Sequence, residues 1–184
     1  MIARRFEDAV RRFSPFSQST IDHTARQLRE AGMLPIGGRG NAAPEITPQH
    51  AASFLAALAA PRLIEAASFA AKINRMKPTN GDEYGFAGAR TFGDAFSAIL
   101  SDDKRRLAVA KVQICRDWPY AAIHFKSEMD KPVYEFGFVE KSAAQSEGEF
   151  THPISTYVQY NGGVLQGFAM ELAGNTGHDA TLIG

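Results

Sequence analysis

The stretch STIDHTARQLREAGMLP, residues 19–35, is the strongest indication of the fold in the first part of this 184-residue chain. Placed at 100° per residue it puts one narrow apolar stripe toward a core, formed by Ile21, Ala25, Leu28 and Gly32. Ser19, with Asp22 three residues later, predicts a capped helix start, and Gly32 before Pro35 predicts its end. The other side of this helix carries Ser19, His23, Arg26, Gln27 and Glu30, with Arg29 at the flank.

The residues around this helix predict three more. Phe6, Val10 and Phe13 share a helical face and predict a short helix over residues 2–13. Residues 36–46 hold three glycines and a proline, which indicates a hairpin or loop. Thr47-Pro48 predicts the next helix start, and we expect a fourth helix from Pro61 to about Lys77.

The polar side of residues 19–31 has side chains suited to reading base edges. Arginine pairs with guanine O6 and N7, and glutamine pairs with adenine N6 and N7, so Arg26 and Gln27 are candidate readers. Glu30 either holds Arg26 through an i, i+4 pair or accepts from a cytosine amino group. An amphipathic helix with a solvated polar face is the alternative interpretation.

Residues 24–35, TARQLREAGMLP, resemble the recognition helix of the MerR-type winged-helix fold. Thr24, Arg26, Gly32, Leu34 and Pro35 stand in register with that pattern, and the resemblance covers residues 19–60. It departs at residues 42–45, where the usual Tyr-Arg of the wing is missing, and the long coiled coil and effector cysteines are missing as well. The resemblance therefore implies a winged helix-turn-helix of prophage type that binds double-stranded DNA without metal or drug sensing.

That resemblance implies further DNA contacts outside the recognition helix. Arg39 and Asn41 would lie at the wing tip, where such folds touch backbone or minor groove. The arginines of the first helix would neutralise phosphates, which adds affinity and salt dependence without reading sequence. These arginines are Arg4, Arg5, Arg11 and Arg12.

A different periodicity begins after residue 90. Thr91 to Ser101 reads as a helix, and apolar residues then alternate with polar ones from Ala108 through Phe138, which predicts three antiparallel strands. Ile154 to Tyr160 predicts a fourth strand, and Val164 to Leu172 a closing helix. With residues 78–90 as a linker, we expect an α+β fold of two domains. These are a helical winged helix-turn-helix domain, 1–77, and a small α+β domain with an antiparallel sheet, 78–184.

The charge distribution agrees with that division. Residues 1–77 hold 11 Lys and Arg against 6 Asp and Glu, whereas residues 78–184 hold 9 against 14. A basic first part suits a polyanion, and an acidic second part suits dimerisation or a protein partner. A single cysteine, a charged start and no long apolar run predict a cytoplasmic protein without membrane contact.

No motif in the sequence indicates catalysis, a metal or a cofactor. The five histidines have no metal-ligand spacing, and Cys115 has no partnering base. We therefore expect a non-enzyme, a homodimeric sequence-specific DNA-binding regulator of a mobile element, with Ala108 or Ile154 as pairing edges. A phage packaging-site recognition protein, expected to form a ring, and a protein-interaction inhibitor of a host defence complex are the alternatives.

Overall fold

Seven α-helices and a five-stranded sheet form the part of the chain that the computed structural model describes, namely residues 3–37, 44–79, 86–126, 133–137 and 155–173. The helices are α1 Ala3–Phe13, α2 Gln18–Glu30, α3 Pro48–Leu58, α4 Ala66–Asn74, α5 Phe92–Ser101, α6 Asp103–Ala108 and α7 Gly162–Leu172. The strands are β1 Lys77–Pro78, β2 Val109–Cys115, β3 Tyr120–Phe125, β4 Val133–Gly137 and β5 Tyr157–Asn161. The α+β class predicted from the sequence is confirmed.

Helix α2 begins earlier than the sequence predicted and ends where it predicted. Ser17, not Ser19, is the N-cap, and its hydroxyl accepts from the Thr20 amide at 3.2 Å. Asp22 does not close a capping box; its carboxylate instead accepts from the side-chain Nε2 of Gln18 at 2.8 Å. Gly32 follows the helix with φ of +70°, a left-handed conformation that glycine adopts without strain.

The start of α3 is confirmed, whereas the predicted fourth helix is shorter than expected. Thr47 accepts from the His50 amide at 3.3 Å, and His50 Nδ1 accepts from the Thr47 amide at 3.2 Å. Arg62 is extended and residues 63–65 form a 3₁₀ turn, so α4 does not start at Pro61. The expected end at Lys77 is also wrong, because Lys77 and Pro78 pair with Gly137 and Phe136 in the sheet.

The strand order is β1-β4-β3-β2-β5, and every neighbouring pair is antiparallel. Strands β2 to β4 form the predicted meander, but Ala108 ends α6 instead of opening a strand. The sequence missed α6, which Asp102 caps by accepting from the Lys104 and Arg105 amides. Ala108 is also not a pairing edge, because β2 lies between β3 and β5, and Ile154 lies outside the described residues.

The helices of the first half share one hydrophobic core with the second half. Phe6 of α1 packs edge-on against Phe54 of α3 at 5.3 Å and lies 6.5 Å from Phe168 of α7. Phe92 of α5 packs edge-on against Phe136 of β4 with ring centres 5.5 Å apart, so helices cover the buried face of the sheet. The division into domains 1–77 and 78–184 stays a prediction, and the boundary falls inside β1.

Arg116, at the end of β2, joins the sheet to the C-terminal end of α3. Its guanidinium donates to three consecutive carbonyls, with Nε at 3.2 Å from Ala59 O and Nη2 at 2.8 Å from Ala60 O. The third bond runs from Nη2 to Pro61 O at 3.2 Å. A cation at a helix C-terminus satisfies carbonyls that have no partner inside the helix and opposes the helix dipole.

Candidate nucleic-acid interface

Helix α2 is held by one buried side and turns another side outward. Ile21, Thr24, Ala25 and Leu28 are fully buried against α1, α3 and α4. Gly32 is exposed, contrary to the predicted stripe, because it stands beyond the end of the helix. The outward side consists of Gln18, Ser19, Asp22, Arg26 and Glu30, all exposed.

Arg26 is the central cation of this outward side. Its side chain is 77% exposed, and its Nε donates to Glu30 Oε1 at 2.8 Å, which confirms the expected i, i+4 pair. This hydrogen bond, with the charge of Glu30, raises the pKa of Arg26 above its usual value. The pair orients the guanidinium along the helix surface.

The other predicted readers of α2 lie at the edges of this side. His23 and Gln27 are half-buried. Arg29 forms an ion pair with Glu7 of α1, and the two side chains are 33% and 19% exposed. Since this pair ties α2 to α1, Arg29 positions the helix more than it presents charge to a partner.

The arginines of α1 point to different sides of that helix. Arg12 Nη1 donates to Glu171 of α7 at 2.8 Å, and Arg12 also lies 5.8 Å from the centre of the Phe13 ring. Arg11 lies 3.6 Å from Asp8, and Arg5 is exposed. On a helical wheel Arg5 falls 20° from Arg12, so it shares the flank that faces α7, whereas Glu7 marks the flank that faces α2.

Three predicted contacts lie outside what the structure describes. Arg39 and Asn41 belong to residues 38–43, and the side chain of Arg4 is likewise not described. The structure therefore brings Ser19 and Arg26 together on one exposed side, with His23 and Gln27 beside them. It separates Arg12 and Arg5 from that side.

A groove of about 650 Å³ opens beside α2. It lies between this helix, the first half of α3 and the length of α4. Gln27, Met33, Gln49, Ile64 and Arg75 are among its lining residues. Ile64 is 71% exposed, and Ile36, just after α2, is 81% exposed. The sequence did not predict this groove, because it forms between segments that are far apart along the chain.

Neither metal ligation nor membrane crossing finds support in the described residues. No group of three His, Cys, Asp or Glu there is placed to hold a metal ion. None of the described helices combines the length and the apolar character needed to cross a membrane. Cys115 is buried, and the described residues include no thiol partner for it.

Among the described histidines, His124 on β3 has surroundings that shift its pKa. Its Nε2 is buried and has no hydrogen-bond partner. Burial, and then the charge of Lys111 across the strand, lower the pKa of His124, and Glu135 opposes this shift. This partly buried histidine lies within the sheet, and we give it no part in the candidate interface.

Comparison of the chain with protein families, curated proteins and solved structures found no match. The assignment of a function therefore depends on the geometry described above.

Proposed function

We propose that this protein binds double-stranded DNA through the outward side of α2, as a sequence-specific transcriptional regulator of a mobile element. The observation that carries the proposal is the exposed Arg26 on a helix whose opposite side is fully buried. A short turn connects α1 to α2, and the resemblance to winged helix-turn-helix proteins covers this helix and the segment that follows it. A helix fixed in this way can enter a major groove without moving.

Arg26 is the base-reading residue of this proposal. Glu30 engages its Nε, so the two terminal Nη groups are left to fork toward guanine O6 and N7. Ser19 lies about two turns toward the helix start from Arg26, and Gln27 and His23 flank the same surface. Arg29 and Arg12 hold α2 and α1 in place through Glu7 and Glu171.

The acidic residues of the outward side restrict how DNA can approach it. Asp22 and Glu30 bracket Arg26, so the helix surface itself does not attract phosphates. In this proposal both carboxylates face base edges and not phosphates, since an acidic side chain can accept from a cytosine amino group. Phosphate neutralisation comes from basic residues outside α2, such as the exposed Arg11 of α1, whereas Arg5 lies on the flank that faces α7.

The test is duplex binding measured over a salt series, with random and genomic duplexes. We expect affinity to fall steeply with salt, and Arg26→Ala to weaken specific binding by about ten- to hundred-fold. Arg62→Ala is the matched control, because Arg62 is 72% exposed and also pairs with a nearby glutamate, Glu65. An affinity that is indifferent both to salt and to Arg26 would reject the proposal.

Dimerisation is part of the same proposal, because one short helix reads only a few base pairs and two half-sites multiply the affinity. In the described sheet the strand order ends with β1 on one side and β5 on the other. Strand β1 has only two residues, so the five-residue β5 offers the longer backbone edge to a second copy. Sedimentation or light scattering of the full chain distinguishes this dimer from a ring, which would favour packaging-site recognition instead.

A protein-interaction module is the second candidate, and the groove beside α2 favours it. The exposed Ile64 lines this groove of about 650 Å³ together with Met33 and Ala67, an apolar surface of the kind that protein partners cover. Ile64→Asp would abolish such an interaction and leave duplex binding unchanged. A duplex affinity lost in Arg26→Ala but retained in Ile64→Asp supports the DNA-binding proposal over this one.

A further inference from the structure

A second cavity, of about 290 Å³, lies where the start of α7 meets α6, β2 and the end of β3. Its walls include the Gly162-Gly163 backbone, the Arg106 side of α6 and Lys126. Two cations and the first turn of a helix therefore converge on one space. The function proposed for α2 makes no use of any of them.

The first turn of α7 is not capped by a side chain. Asn161 is the N-cap residue, with extended backbone angles, but its side chain makes no hydrogen bond to the helix. Its Oδ1 instead accepts from Gln159 Nε2 at 2.6 Å. Amide groups of the first turn of this 11-residue helix are thus left without the side-chain acceptor that usually satisfies one of them. The positive end of the helix dipole adds to their attraction for an anion.

The two glycines give the turn its shape. A Cβ atom at Gly162 would come within 2.6 Å of the Val109 carbonyl oxygen, so only glycine lets the helix start this close to β2. A Cβ atom at Gly163 would meet nothing within 4 Å. The backbone at Gly163 therefore borders open space, and a ligand can approach its amide closely.

Arg106 supplies the observation that is independent of the helix start. Its side chain is only 6% exposed, although it is charged. One terminal nitrogen contacts Asp103, whose side chain is 83% exposed, while the buried Nε has no hydrogen-bond partner. A buried guanidinium nitrogen without an acceptor is costly, and guanidinium groups form strong hydrogen bonds to oxyanions. Lys126, exposed at the other wall, adds a second cation.

We propose that this cavity is a binding site for a phosphate-like oxyanion, held by the first-turn amides of α7, Arg106 and Lys126. A tetrahedral oxyanion has enough acceptor atoms to bond amides and guanidinium at once. The cavity has room for a phosphate group. The site stands independently of DNA binding by α2.

Titration of the 15N-labelled full chain with inorganic phosphate, at constant ionic strength in chloride, tests the site. We expect saturable shifts of the Gly162 and Gly163 amide signals, with a dissociation constant on the order of millimolar. Lys126→Gln is expected to weaken binding about two- to five-fold. Lys104→Gln, an exposed cation of α6 that does not line the cavity, is the matched control and is expected to have no effect.

Gly163→Asp tests the site without relying on the buried Arg106. The open space at this position accepts the side chain, and an aspartate in the first turn favours the helix. Its charge is expected to weaken phosphate binding about tenfold or more, whereas the neutral Gly163→Asn is expected to retain most of it. Shifts that are equal in chloride and phosphate, or equal binding by Gly163→Asp and Gly163→Asn, would overturn the proposal.

The phosphate can come from a small phosphorylated molecule or from a nucleic-acid backbone. If Gly163→Asp also weakens duplex binding relative to Gly163→Asn, the site takes a backbone phosphate. If duplex binding is unchanged while phosphate shifts are lost, it takes a small phosphorylated ligand. Both results support an oxyanion site. The phosphate titration does not depend on duplex binding by α2, so it tests the site even if that binding is absent.

Discussion

The Tyr160 hydroxyl donates to the Leu55 carbonyl at 2.6 Å, across a separation of 105 residues. Tyr160 is the last buried residue of β5, and Leu55 lies in the middle of α3, so this bond joins the sheet to a helix of the first half. The hydroxyl is fully buried, and this burial raises the pKa of Tyr160 far above its usual value. A neutral tyrosine fixed at this point holds the packing of α3 on the sheet.

Removal of that hydroxyl should destabilise the whole chain. We expect Tyr160→Phe to lower the free energy of unfolding by about 1 kcal/mol, because one buried hydrogen bond is lost and a carbonyl is left unpaired. Tyr157→Phe is the control, since Tyr157 is 44% exposed in the same strand. Urea unfolding followed by circular dichroism measures both. Equal stability of the two variants would show that the hydroxyl contributes nothing.

Arg116 should matter more for stability than the Tyr160 hydroxyl. We expect Arg116→Met to lower the free energy of unfolding by about 2 kcal/mol, since three hydrogen bonds from a charged donor are lost while the side-chain stem is kept. Arg105→Met serves for comparison, because Arg105 only approaches Asp102 at 3.6 Å on the surface. A loss no greater than that of Arg105→Met would contradict the role given to Arg116.

A fragment of residues 1–77 tests the division into domains. Its helices would lose the contacts of Phe6 with Phe168, of Leu55 with Tyr160 and of Ala60 with Arg116. Although the sequence predicts a separate domain over residues 1–77, these contacts lead us to expect that the fragment exposes this apolar surface and unfolds without a cooperative transition. Circular dichroism during urea titration, with size-exclusion chromatography, measures this. A soluble monomer with a sharp transition would establish an independent first domain.

The charges around Arg26 predict how two substitutions change the affinity for duplex DNA. Glu30→Gln and Asp22→Asn each remove a negative charge from the outward side of α2. We expect each to tighten nonspecific duplex binding about two- to ten-fold at low salt, and the gain to shrink as salt rises. Fluorescence anisotropy over a salt series measures this. If neither variant changes affinity, duplex DNA does not contact this side of α2.

His124 predicts a loss of stability at mildly acidic pH. Its pKa is lowered in the folded chain, so the unfolded chain binds the proton more tightly. The stabilisation is complete above the unfolded pKa of about 6.5 and is lost as pH falls through the lower folded value. Lys111 and Glu135 face this histidine from the neighbouring strands. His124→Gln should reduce the fall in urea midpoint between neutral pH and about pH 5. An identical fall in both proteins would exclude His124 as a source.

Sequence periodicity predicted the features that depend on neighbours along the chain. The buried stripe of α2, the Thr47 cap, the α5 helix and the alternation in β2 to β4 all follow from side chains three, four or two residues apart. Such patterns specify which side of an element is apolar. They do not specify what covers that side. They also missed α6 and the 3₁₀ turn at residues 63–65, because elements of six and three residues are too short to show a periodic pattern.

Local pattern, then, determined by itself that α2 would have one buried side and would carry Arg26 on the other. Tertiary structure alone decided that Arg29 pairs with Glu7, 22 residues away, and Arg12 with Glu171, 159 residues away. It also decided that Arg106 and Lys126 line the same cavity as the start of α7. A side chain's charge is encoded at one position, but its partner is chosen by packing between distant segments, which no short-range pattern contains.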